Sequence, residues 1–128
     1  MKLLLDTHVL LWAAGDDRRL PARIRGQLTN SANELMLSAA SGWEIIVKEQ
    51  AGRLRIKGGA SKFLEARVRE AGLIVLPVLW LHVLRVHELP LHHRDPFDRL
   101  LVAQAQIEKL PIVTADRDMA RYAVEVIW

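Results

Sequence analysis

The sequence predicts an α/β layer fold built on a mostly parallel sheet. Short apolar runs typical of buried strands alternate with longer segments whose apolar residues have helical spacing. Glycine, proline or acidic residues stand at nearly every change between the two kinds of segment. The chain has 128 residues, 51% of them apolar, which matches one ordinary domain, so we expect a single domain over residues 1–128.

The first half of the chain is predicted to contain two strands and three helices. The opening apolar run stops at Asp6, and a glycine with two aspartates ends the helical stretch that follows. Ser38 is a suitable N-cap for the third helix, and Gly52 is a suitable stop for it. The predicted strands are residues 2–5 and 34–37, and the predicted helices are residues 7–14, 21–28 and 39–50.

The second half continues this alternation of strands and helices. Residues 53–57 alternate charged and apolar side chains with a period of two, which predicts an extended segment. Residues 88–96 contain two prolines and two histidines and are predicted to form a loop. The remaining predictions are helices at 61–71, 78–87 and 97–109, strands at 73–76, 111–114 and 124–128, and a short turn or helix at 116–121.

The composition excludes several classes of protein. The chain has no cysteine, which rules out disulfides, cysteine–zinc sites and thiol nucleophiles. Its apolar runs are too short to cross a membrane, and Asp6 and His8 interrupt the N-terminal run where a signal peptide would be continuous. We therefore expect a cytoplasmic protein without membrane contact. Thirteen of the 18 cationic residues are arginine, which permits a nucleic-acid partner but equally suits an ordinary surface.

Four carboxylates are predicted to meet at one edge of the sheet. Asp6 ends the first strand, and Asp116 follows the fourth strand by two residues. Glu44 lies in the first half of the helix after the second strand, and Asp98 lies at the start of the long helix. Strand ends and helix starts in a parallel sheet face the same carboxyl edge, where α/β proteins bind their ligands.

Repulsion within such a cluster has a chemical consequence. Four negative charges about 5 Å apart repel one another by on the order of 20 kcal/mol, even at an effective dielectric constant of about 20, and this exceeds the usual stability of a domain. The cluster must therefore take up protons, lie in water or hold a cation. Because all the donors are oxygens, the predicted cation is Mg²⁺, with Mn²⁺ as the second choice.

Each acid also has an ordinary structural interpretation. Asp6 could cap the helix that follows it, and Glu44 could be a solvated helix residue. Asp98 could be a first-turn acid that interacts with the helix dipole. Asp116 and Asp118 flank an arginine and could be surface turn residues. The individual signals are therefore weak, and it is their placement at one edge that carries the prediction.

Five stretches of the sequence carry a family resemblance. They are LLLDTHVLLW at 3–12, LSAASGWEI at 37–45, AGRL at 51–54, HRDPFDRLLVAQA at 93–105 and LPIVTADRDM at 110–119. Together they resemble a PIN domain, specifically a VapC-type toxin ribonuclease, and DPFDRLLVAQA with SGWEI is the most specific part. The resemblance implies a PIN-like three-layer α/β/α fold with a mostly parallel central sheet of four to five strands.

The resemblance also implies a metal-dependent endoribonuclease that hydrolyses RNA with a metal-activated water. The family's acidic quartet falls by position on Asp6, Glu44, Asp98 and Asp116. Three of these, Asp6, Asp98 and Asp116, would hold Mg²⁺. Glu44 would orient or deprotonate the attacking water. No member of the quartet is missing from the sequence.

Other residues of the matching stretches are assigned supporting roles. Thr7 and Thr114 match polar family positions beside the metal, and Asp118 would help to hold a second ion. Asp95 is predicted to be the N-cap of the long helix, because Pro96 then falls at the first helical position. Asp95 would thereby support the loop and the helix start that carry Asp98.

Four arginines are candidates for RNA contact. Arg94 and Arg99 flank the predicted active-site loop, and Arg99 could instead form an ion pair on the helix surface. Arg53 and Arg55 belong to a basic stripe, completed by Lys57, which could touch RNA or merely face solvent. Guanidinium groups suit phosphate because they donate two parallel hydrogen bonds to it.

The aromatic and histidine residues carry weaker signals. Trp12, Trp43 and Trp80 have apolar neighbours and are predicted to lie in the core or in an interface, with base stacking as the minority interpretation. The spacing of the histidines matches no zinc template. His93 is therefore expected to shape the loop before Asp95 rather than to bind a metal.

The resemblance further implies partners. A cognate VapB-type antitoxin, an RNA substrate and a homodimer are expected, with the apolar helices 7–14 and 39–50 as candidate walls of an antitoxin groove. The alternative is a non-catalytic PIN-fold interaction module that acts only within an antitoxin complex. A haloacid dehalogenase-like phosphatase is discounted because it needs an aspartate where His8 stands, and a receiver domain is discounted because its adjacent acids are missing.

Overall fold

Five parallel strands form the central sheet in the order β3-β2-β1-β4-β5. The structure is a computed structural model that describes residues 1–128. The central strand β1 pairs with β2 on one side and with β4 on the other, so that Leu4 lies between Met36 and Ile112. The strands are β1 Lys2–Leu5, β2 Glu34–Ser38, β3 Ile74–Leu76, β4 Ile112–Val113 and β5 Val126–Ile127.

Six α-helices and one 3₁₀ turn connect these strands. None of the helices is both long enough and apolar enough to cross a membrane. Each predicted helix is present: two have the predicted ends, and the ends of the other four differ from the prediction by one or two residues. The helices are α1 Thr7–Ala14, α2 Ala22–Thr29, α3 Ala39–Gln50, α4 Ala60–Arg69, α5 Trp80–Val86 and α6 Pro96–Glu108, and the 3₁₀ turn is Met119–Arg121.

Helices cover both faces of the sheet and form three layers with it. Successive residues of β1 point to opposite faces, so Leu3 and Leu5 belong to one apolar core and Leu4 belongs to the other. The first core includes residues of α1, α2, α3 and α4, and the second includes residues of α5 and α6. The predicted three-layer α/β/α fold is confirmed, and the sheet is parallel throughout rather than mostly so.

The alternating segment at 53–57 does not join the sheet. The structure has it as a loop between α3 and α4, with no strand beside it. Its period of two is nevertheless expressed as burial, because Leu54 and Ile56 pack against the core while Arg53 and Arg55 are exposed. An alternating sequence thus indicates that one side of an extended chain is buried. A β-strand additionally requires a neighbouring strand that hydrogen-bonds to its backbone.

Two tryptophans that the sequence predicts to lie in the core or an interface are outside the core. Trp43 on α3 is 62% exposed, and Trp80 at the start of α5 is 73% exposed. Ile45, two residues after Trp43, faces the core from another side of α3, whereas the apolar neighbours of Trp80 on α5 are themselves exposed, so the local composition is misleading in both cases. Trp12 is half-buried, and its indole packs against the last residue, Trp128, with ring centroids 6.0 Å apart.

The order of the strands creates a crevice at one particular place. Strands run outward from β1 in both directions, with β2 and β3 on one side and β4 and β5 on the other. Such a reversal leaves a gap between the flanking connections at the carboxyl ends of the central strands, where open α/β sheets bind ligands. Residues that follow β1 and β4 therefore border this gap, and Asp6 and Thr114 are the first of them.

Candidate metal centre and active site

Asp6 lies at the carboxyl end of β1 and is almost completely buried, at 2% exposure. One carboxylate oxygen accepts the backbone N–H of Thr7 at 2.7 Å, which makes Asp6 the N-cap of α1. The other oxygen accepts the hydroxyl of Thr114 at 2.6 Å and lies 3.2 Å from Nδ1 of His8. The capping role and the site role therefore coexist, one on each oxygen.

Glu44 reaches the same crevice from the second turn of α3, because α3 starts directly after β2 with Ser38 as its N-cap. Its carboxylate is buried, and one oxygen accepts the Thr7 hydroxyl at 2.6 Å. The other oxygen accepts Nζ of Lys48, one helical turn further on, also at 2.6 Å. Glu44 is thus held by a hydroxyl and an ammonium group.

Asp98 stands in the first turn of α6, and the helix start is fixed by Asp95. The Asp95 carboxylate accepts the backbone N–H groups of Phe97 and Asp98 at 2.8 and 3.1 Å, and Pro96 occupies the first helical position, as the sequence predicts. The Asp98 carboxylate projects into the crevice, with one oxygen 3.1 Å from Nε2 of His93.

Asp116 follows β4 and is tied to Asp6 through Thr114. The Thr114 oxygen accepts the backbone N–H of Asp116 at 2.9 Å while its hydroxyl donates to Asp6. An Asp116 oxygen lies 2.7 Å from Nε2 of His93, and the other accepts the backbone N–H of Asp118 at 2.8 Å. The Asp118 side chain itself is exposed and faces Arg121, so only its backbone contacts the site.

The electrostatics agree with a crowded pocket. Burial, together with the nearby carboxylates of Asp6 and Asp95, raises the pKa of Asp98 to about 8, although His93 acts in the opposite direction. Burial also raises the pKa of Asp6, although His8 and the Thr114 hydroxyl counteract it, and Glu44 adds to the rise. Each of these carboxylates therefore senses the charge of the others, as the sequence-based convergence predicts.

The remaining charges of the pocket are set by close partners. Burial alone would raise the pKa of Asp116, but the hydrogen bonds from His93 and from the Asp118 amide hold it below the ordinary value. Burial likewise opposes the charge on His93, yet Asp116 and Asp98 raise its pKa. The hydrogen bond to Glu44 raises the pKa of Lys48 and keeps its ammonium charged.

The pocket can meet its repulsion through proton uptake, one of the options that follow from the sequence, and through Lys48, which the sequence analysis missed. A proton on Asp98 and the ammonium of Lys48 remove much of the negative charge that four free carboxylates would carry. Proton uptake and the Lys48 ion pair are therefore ways to stabilise this cluster besides a bound cation. The oxygen donors still suit a hard divalent ion, which would replace the proton on Asp98.

The sequence-predicted arginines have different surroundings. Arg94 is exposed beside the pocket, on the loop between His93 and Asp95, and forms no hydrogen bond or ion pair. The Arg99 guanidinium donates to the carbonyl oxygens of Pro90 and Val86 at 3.0 and 3.1 Å, so it holds the preceding loop in place. The exposed residues Arg53 and Arg55 contact none of the four carboxylates.

Three site residues were missed by the sequence reasoning. His93 bridges two carboxylates, although only its loop position was predicted. Lys48 could have been found, because it stands four residues after Glu44, the spacing at which a glutamate and a lysine meet on a helix. His8 donates toward Asp6, and nothing in its sequence spacing distinguishes this from local packing.

Fold and pocket together define a doubly wound α/β domain with a carboxylate cluster at its topological switch point. The family model of the PIN domain matches residues 3–125. The chain therefore belongs to the PIN domain family, and the predicted resemblance is confirmed at this level. No curated protein matches the sequence of the chain.

Solved structures with the same fold are distant in sequence. VapBC2 from Rickettsia felis, bound to a DNA fragment from its promoter, matches with a TM-score of 0.74 and 16% identity over 99% of this chain and 98% of that chain. DNA-bound VapBC from Salmonella typhimurium matches with a TM-score of 0.73 and 18% identity over 99% and 97% of the two chains. The PIN domain endonuclease Utp24 matches with a TM-score of 0.51 and 11% identity over 93% and 74%.

Proposed function

We propose that this chain is the VapC-type toxin of a type II toxin–antitoxin system and acts as a divalent-metal-dependent endoribonuclease. The observation that carries the proposal is the convergence of four carboxylates, from four separate elements, at the switch point of the sheet. A buried cluster of this kind is unfavourable for stability and is retained where it has a chemical use. The similarity to VapBC complexes and to a PIN domain endonuclease supports the same assignment.

In this proposal Asp6, Asp98 and Asp116 hold the ion, which is Mg²⁺ with Mn²⁺ as a substitute. The bound ion would supply a water of lowered pKa and neutralise charge on the scissile phosphate. Asp118 contributes through its backbone N–H on Asp116, and its exposed carboxylate is free to approach a second ion. Thr7 and Thr114 orient carboxylates by donating their hydroxyl hydrogens to Glu44 and Asp6.

Glu44 has the surroundings of a group that positions water. Because Lys48 and Thr7 hold the Glu44 carboxylate in place, it can accept a hydrogen bond from the attacking water. Water attacks the phosphate in this proposal, and the ribose 2′-hydroxyl does not. The expected products are therefore a 5′-phosphate and a 3′-hydroxyl.

Two exposed side chains beside the pocket suit a single strand of RNA. Arg94 offers an unpaired guanidinium for a phosphate. The indole of Trp43 stands next to Glu44 in sequence and packs edge-on against Phe97, whose neighbour is Asp98, with ring centroids 5.2 Å apart. An exposed aromatic face of this kind can stack an unpaired base, which places the strand close to the carboxylates.

A groove on one side of α1 supports the antitoxin assignment. It has a volume of about 500 Å³ and an apolar floor with cationic groups at its margin. One wall is α1, one of the two helices suggested as a wall, and the other is formed by residues 54–57 and α4. We propose that a VapB-type antitoxin fills this groove with an apolar segment that carries acidic residues. The groove is lined by Leu11, Trp12, Ala14, Gly15, Asp17, Arg19, Leu54, Arg55, Ile56, Lys57 and Phe63, and Arg19 is paired with Asp17.

A second copy of the chain is the proposed partner of another face. The α5 surface consists of the exposed apolar side chains of α5 and of the edge strand β3, and such patches mark interaction sites. Trp80 and Leu84 are the most exposed members, at 73% and 54%. The complete set is Ile74, Val75, Val78, Leu79, Trp80, Leu81, Val83 and Leu84.

The alternative function is a non-catalytic interaction module within an antitoxin complex. The ion pair between Lys48 and Glu44 and the proton on Asp98 favour it, since they stabilise the pocket without an ion. In that case the carboxylates would serve packing and hydrogen bonding alone. A nuclease should cleave RNA and lose this activity through a single substitution in the cluster. An interaction module should not cleave RNA at all.

Cleavage of RNA by purified protein is the decisive experiment. The chain with Mg²⁺ should cut single-stranded RNA and leave 5′-phosphate ends, and EDTA should stop the cutting. Asp6→Asn should abolish cleavage while the fold survives, because asparagine is as good an N-cap as aspartate. Asp16→Asn is the matched control, since its side chain is exposed, pairs with Arg25 and has no assigned role in the site.

The outcomes separate the two functions. Equal cleavage by the wild type and Asp6→Asn, purified in parallel, identifies a contaminating nuclease and leaves only the interaction module. Transcript-end mapping after expression of the wild type and of Asp98→Asn would then identify the RNA target of an active enzyme.

A further inference from the structure

His93 occupies the most informative position in the pocket outside the acidic quartet. Its Nε2 lies 3.1 Å from an oxygen of Asp98 and 2.7 Å from an oxygen of Asp116. One ligand atom from each of these three residues lies within 4.8 Å of the others, so the trio could in principle surround an ion. In an octahedral site with bonds of about 2.1 Å, neighbouring ligand atoms stand about 3.0 Å apart, which is close to these distances.

The contact of the other ring nitrogen, Nδ1, determines whether His93 can bind an ion through Nε2. Nδ1 of His93 accepts the backbone N–H of Asp95 at 3.0 Å. The neutral ring therefore carries its single hydrogen on Nε2, where it is donated to the Asp116 carboxylate. A metal bond through Nε2 would move the hydrogen to Nδ1, where it would face the hydrogen of the Asp95 amide.

We propose that His93 is a positioning residue of the metal site, which donates from Nε2 to Asp116, lies beside Asp98 and does not itself bind the ion. This inference rests on the proposed nuclease function. Its basis is the bond from the Asp95 amide, which leaves Nε2 without a lone pair for a metal. Hydrogen bonds to ligating carboxylates commonly orient metal ligands in this way.

The bond network explains why the donor stays in place. Asp95 binds the two first amides of α6 through its carboxylate and binds the His93 ring through its own amide. The loop is fixed further by the Tyr122 hydroxyl, which accepts the N–H of His93 at 2.9 Å. The imidazole, only 14% exposed, is therefore held between a fixed helix start and two carboxylates.

Mn²⁺ binding followed by electron paramagnetic resonance tests the proposal. The wild type should bind Mn²⁺ without the ¹⁴N coupling of a directly bound imidazole. His93→Leu should weaken Mn²⁺ binding about 10- to 100-fold, the usual effect of losing such a donor. His93→Gln should recover most of the affinity, because its amide N–H can donate from a similar place.

His92→Leu is the matched control. It is the neighbouring histidine, and its ring packs on Tyr122 with centroids 5.0 Å apart, away from the carboxylates. Its Mn²⁺ affinity should stay within about twofold of the wild type, since no metal ligand loses a donor. In activity assays, His93→Leu should lower kcat and leave the KM for RNA unchanged, because His93 contacts the carboxylates.

The possible failures are distinguishable. A ¹⁴N coupling that is present in the wild type and lost in His93→Leu would make His93 a ligand and overturn this inference alone. Unchanged Mn²⁺ affinity in His93→Leu would likewise overturn it alone. A wild-type chain that binds no divalent ion overturns the nuclease proposal and this inference together.

Discussion

Asp98 illustrates the conflict between stability and chemistry at a single residue. Its pKa of about 8 means that the folded chain binds this proton more tightly than the unfolded chain, where the ordinary value is 3.8. The stabilising contribution is fully present below the unfolded pKa and is lost as the pH rises through about 8. The loss is at most about 1.4 kcal/mol per pH unit for one proton.

Asp98→Asn should therefore stabilise the ion-free protein. Thermal unfolding in EDTA at about pH 8.5 should show a higher Tm than the wild type, with roughly 4 °C for each 1 kcal/mol gained. The advantage should shrink toward about pH 5, where the aspartate is protonated. Added Mg²⁺ should raise the Tm of the wild type only.

Asp118→Asn serves as the control for that measurement. Its side chain is exposed, so its Tm should follow the wild type at each pH. An Asp98→Asn protein that is less stable than the wild type in EDTA at about pH 8.5 would contradict the prediction.

The same carboxyl makes ion binding depend on pH. A divalent ion that uses Asp98 must displace its proton, so affinity should increase with pH up to about 8 and level off above it. Titration calorimetry near pH 7 in buffers of different ionisation enthalpy should detect proton release on binding. Ion binding without proton release below about pH 7 would contradict the assigned state of Asp98.

Trp43 offers a test of how RNA is held. In an Asp6→Asn background, Trp43→Ala should weaken binding of single-stranded RNA by about 1–3 kcal/mol, the usual worth of one stacked base. Trp43→Phe should retain most of the affinity, because it keeps an aromatic face. Duplex RNA, whose bases are already stacked, provides the control, and an equal loss for duplex and single strand would argue against stacking.

Residue roles were predictable from sequence to the extent that they follow from local chemistry. Asp95 could be identified as an N-cap because Pro96 marks the first helical position. Asp6, Glu44, Asp98 and Asp116 could be placed at one edge because strand ends define it. The donor role of His93 could not be predicted from the sequence, since it depends on the path of a loop that has no periodic pattern.

At the scale of the element, the start of α6 controls the position of Asp98. Asp95→Ala should cost about 1 kcal/mol through loss of the cap, and should lower RNA cleavage as well, because Asp98 lies in the first turn. Urea unfolding and a cleavage assay would measure the two effects separately. Asp95→Asn keeps a capping oxygen and should stay close to the wild type in both.

A contrary result for Asp95 would be informative. Equal losses in Asp95→Asn and Asp95→Ala would show that the negative charge of Asp95 matters and its capping geometry does not. This charge also contributes to the raised pKa of Asp98, so the pH dependence of unfolding would then shift in the Asp95→Asn protein.

Element boundaries show which sequence signals are sufficient. The helices are present where apolar residues repeat with helical spacing, and Ser38 caps α3 as predicted. The segment 53–57 has the alternating burial that its sequence pattern indicates, but it does not form a β-strand, because alternation reports only that one side is buried. Its hydrogen-bond partners would have to come from another part of the chain, which local pattern does not indicate.

At the scale of the whole molecule, the layer arrangement could be predicted from the alternation of elements and from the family resemblance. The exposure of Trp80 and of its apolar neighbours could not, because an apolar helix face looks the same whether the core or a partner covers it. The α5 surface can therefore be recognised only from the three-dimensional structure.

Oligomeric state provides the test of that surface. Leu84→Glu should shift the protein from dimer to monomer in light scattering over a concentration series, since a charge is buried at the centre of the patch. Val68→Glu is the control, because Val68 is an exposed apolar residue of α4 outside the α5 surface. A wild type that is monomeric at all concentrations would contradict the homodimer proposal.

The hydrogen bond from Thr114 to Asp6 divides the pocket into an anchored half and an adjustable half. Asp6 and Thr114 continue adjacent strands, so this side moves only when the sheet itself moves. Asp98 lies on α6, and the start of this helix is positioned by the loop that contains His93. Changes in that loop during evolution can therefore alter the position of Asp98 in the pocket while the sheet that carries Asp6 and Thr114 stays the same.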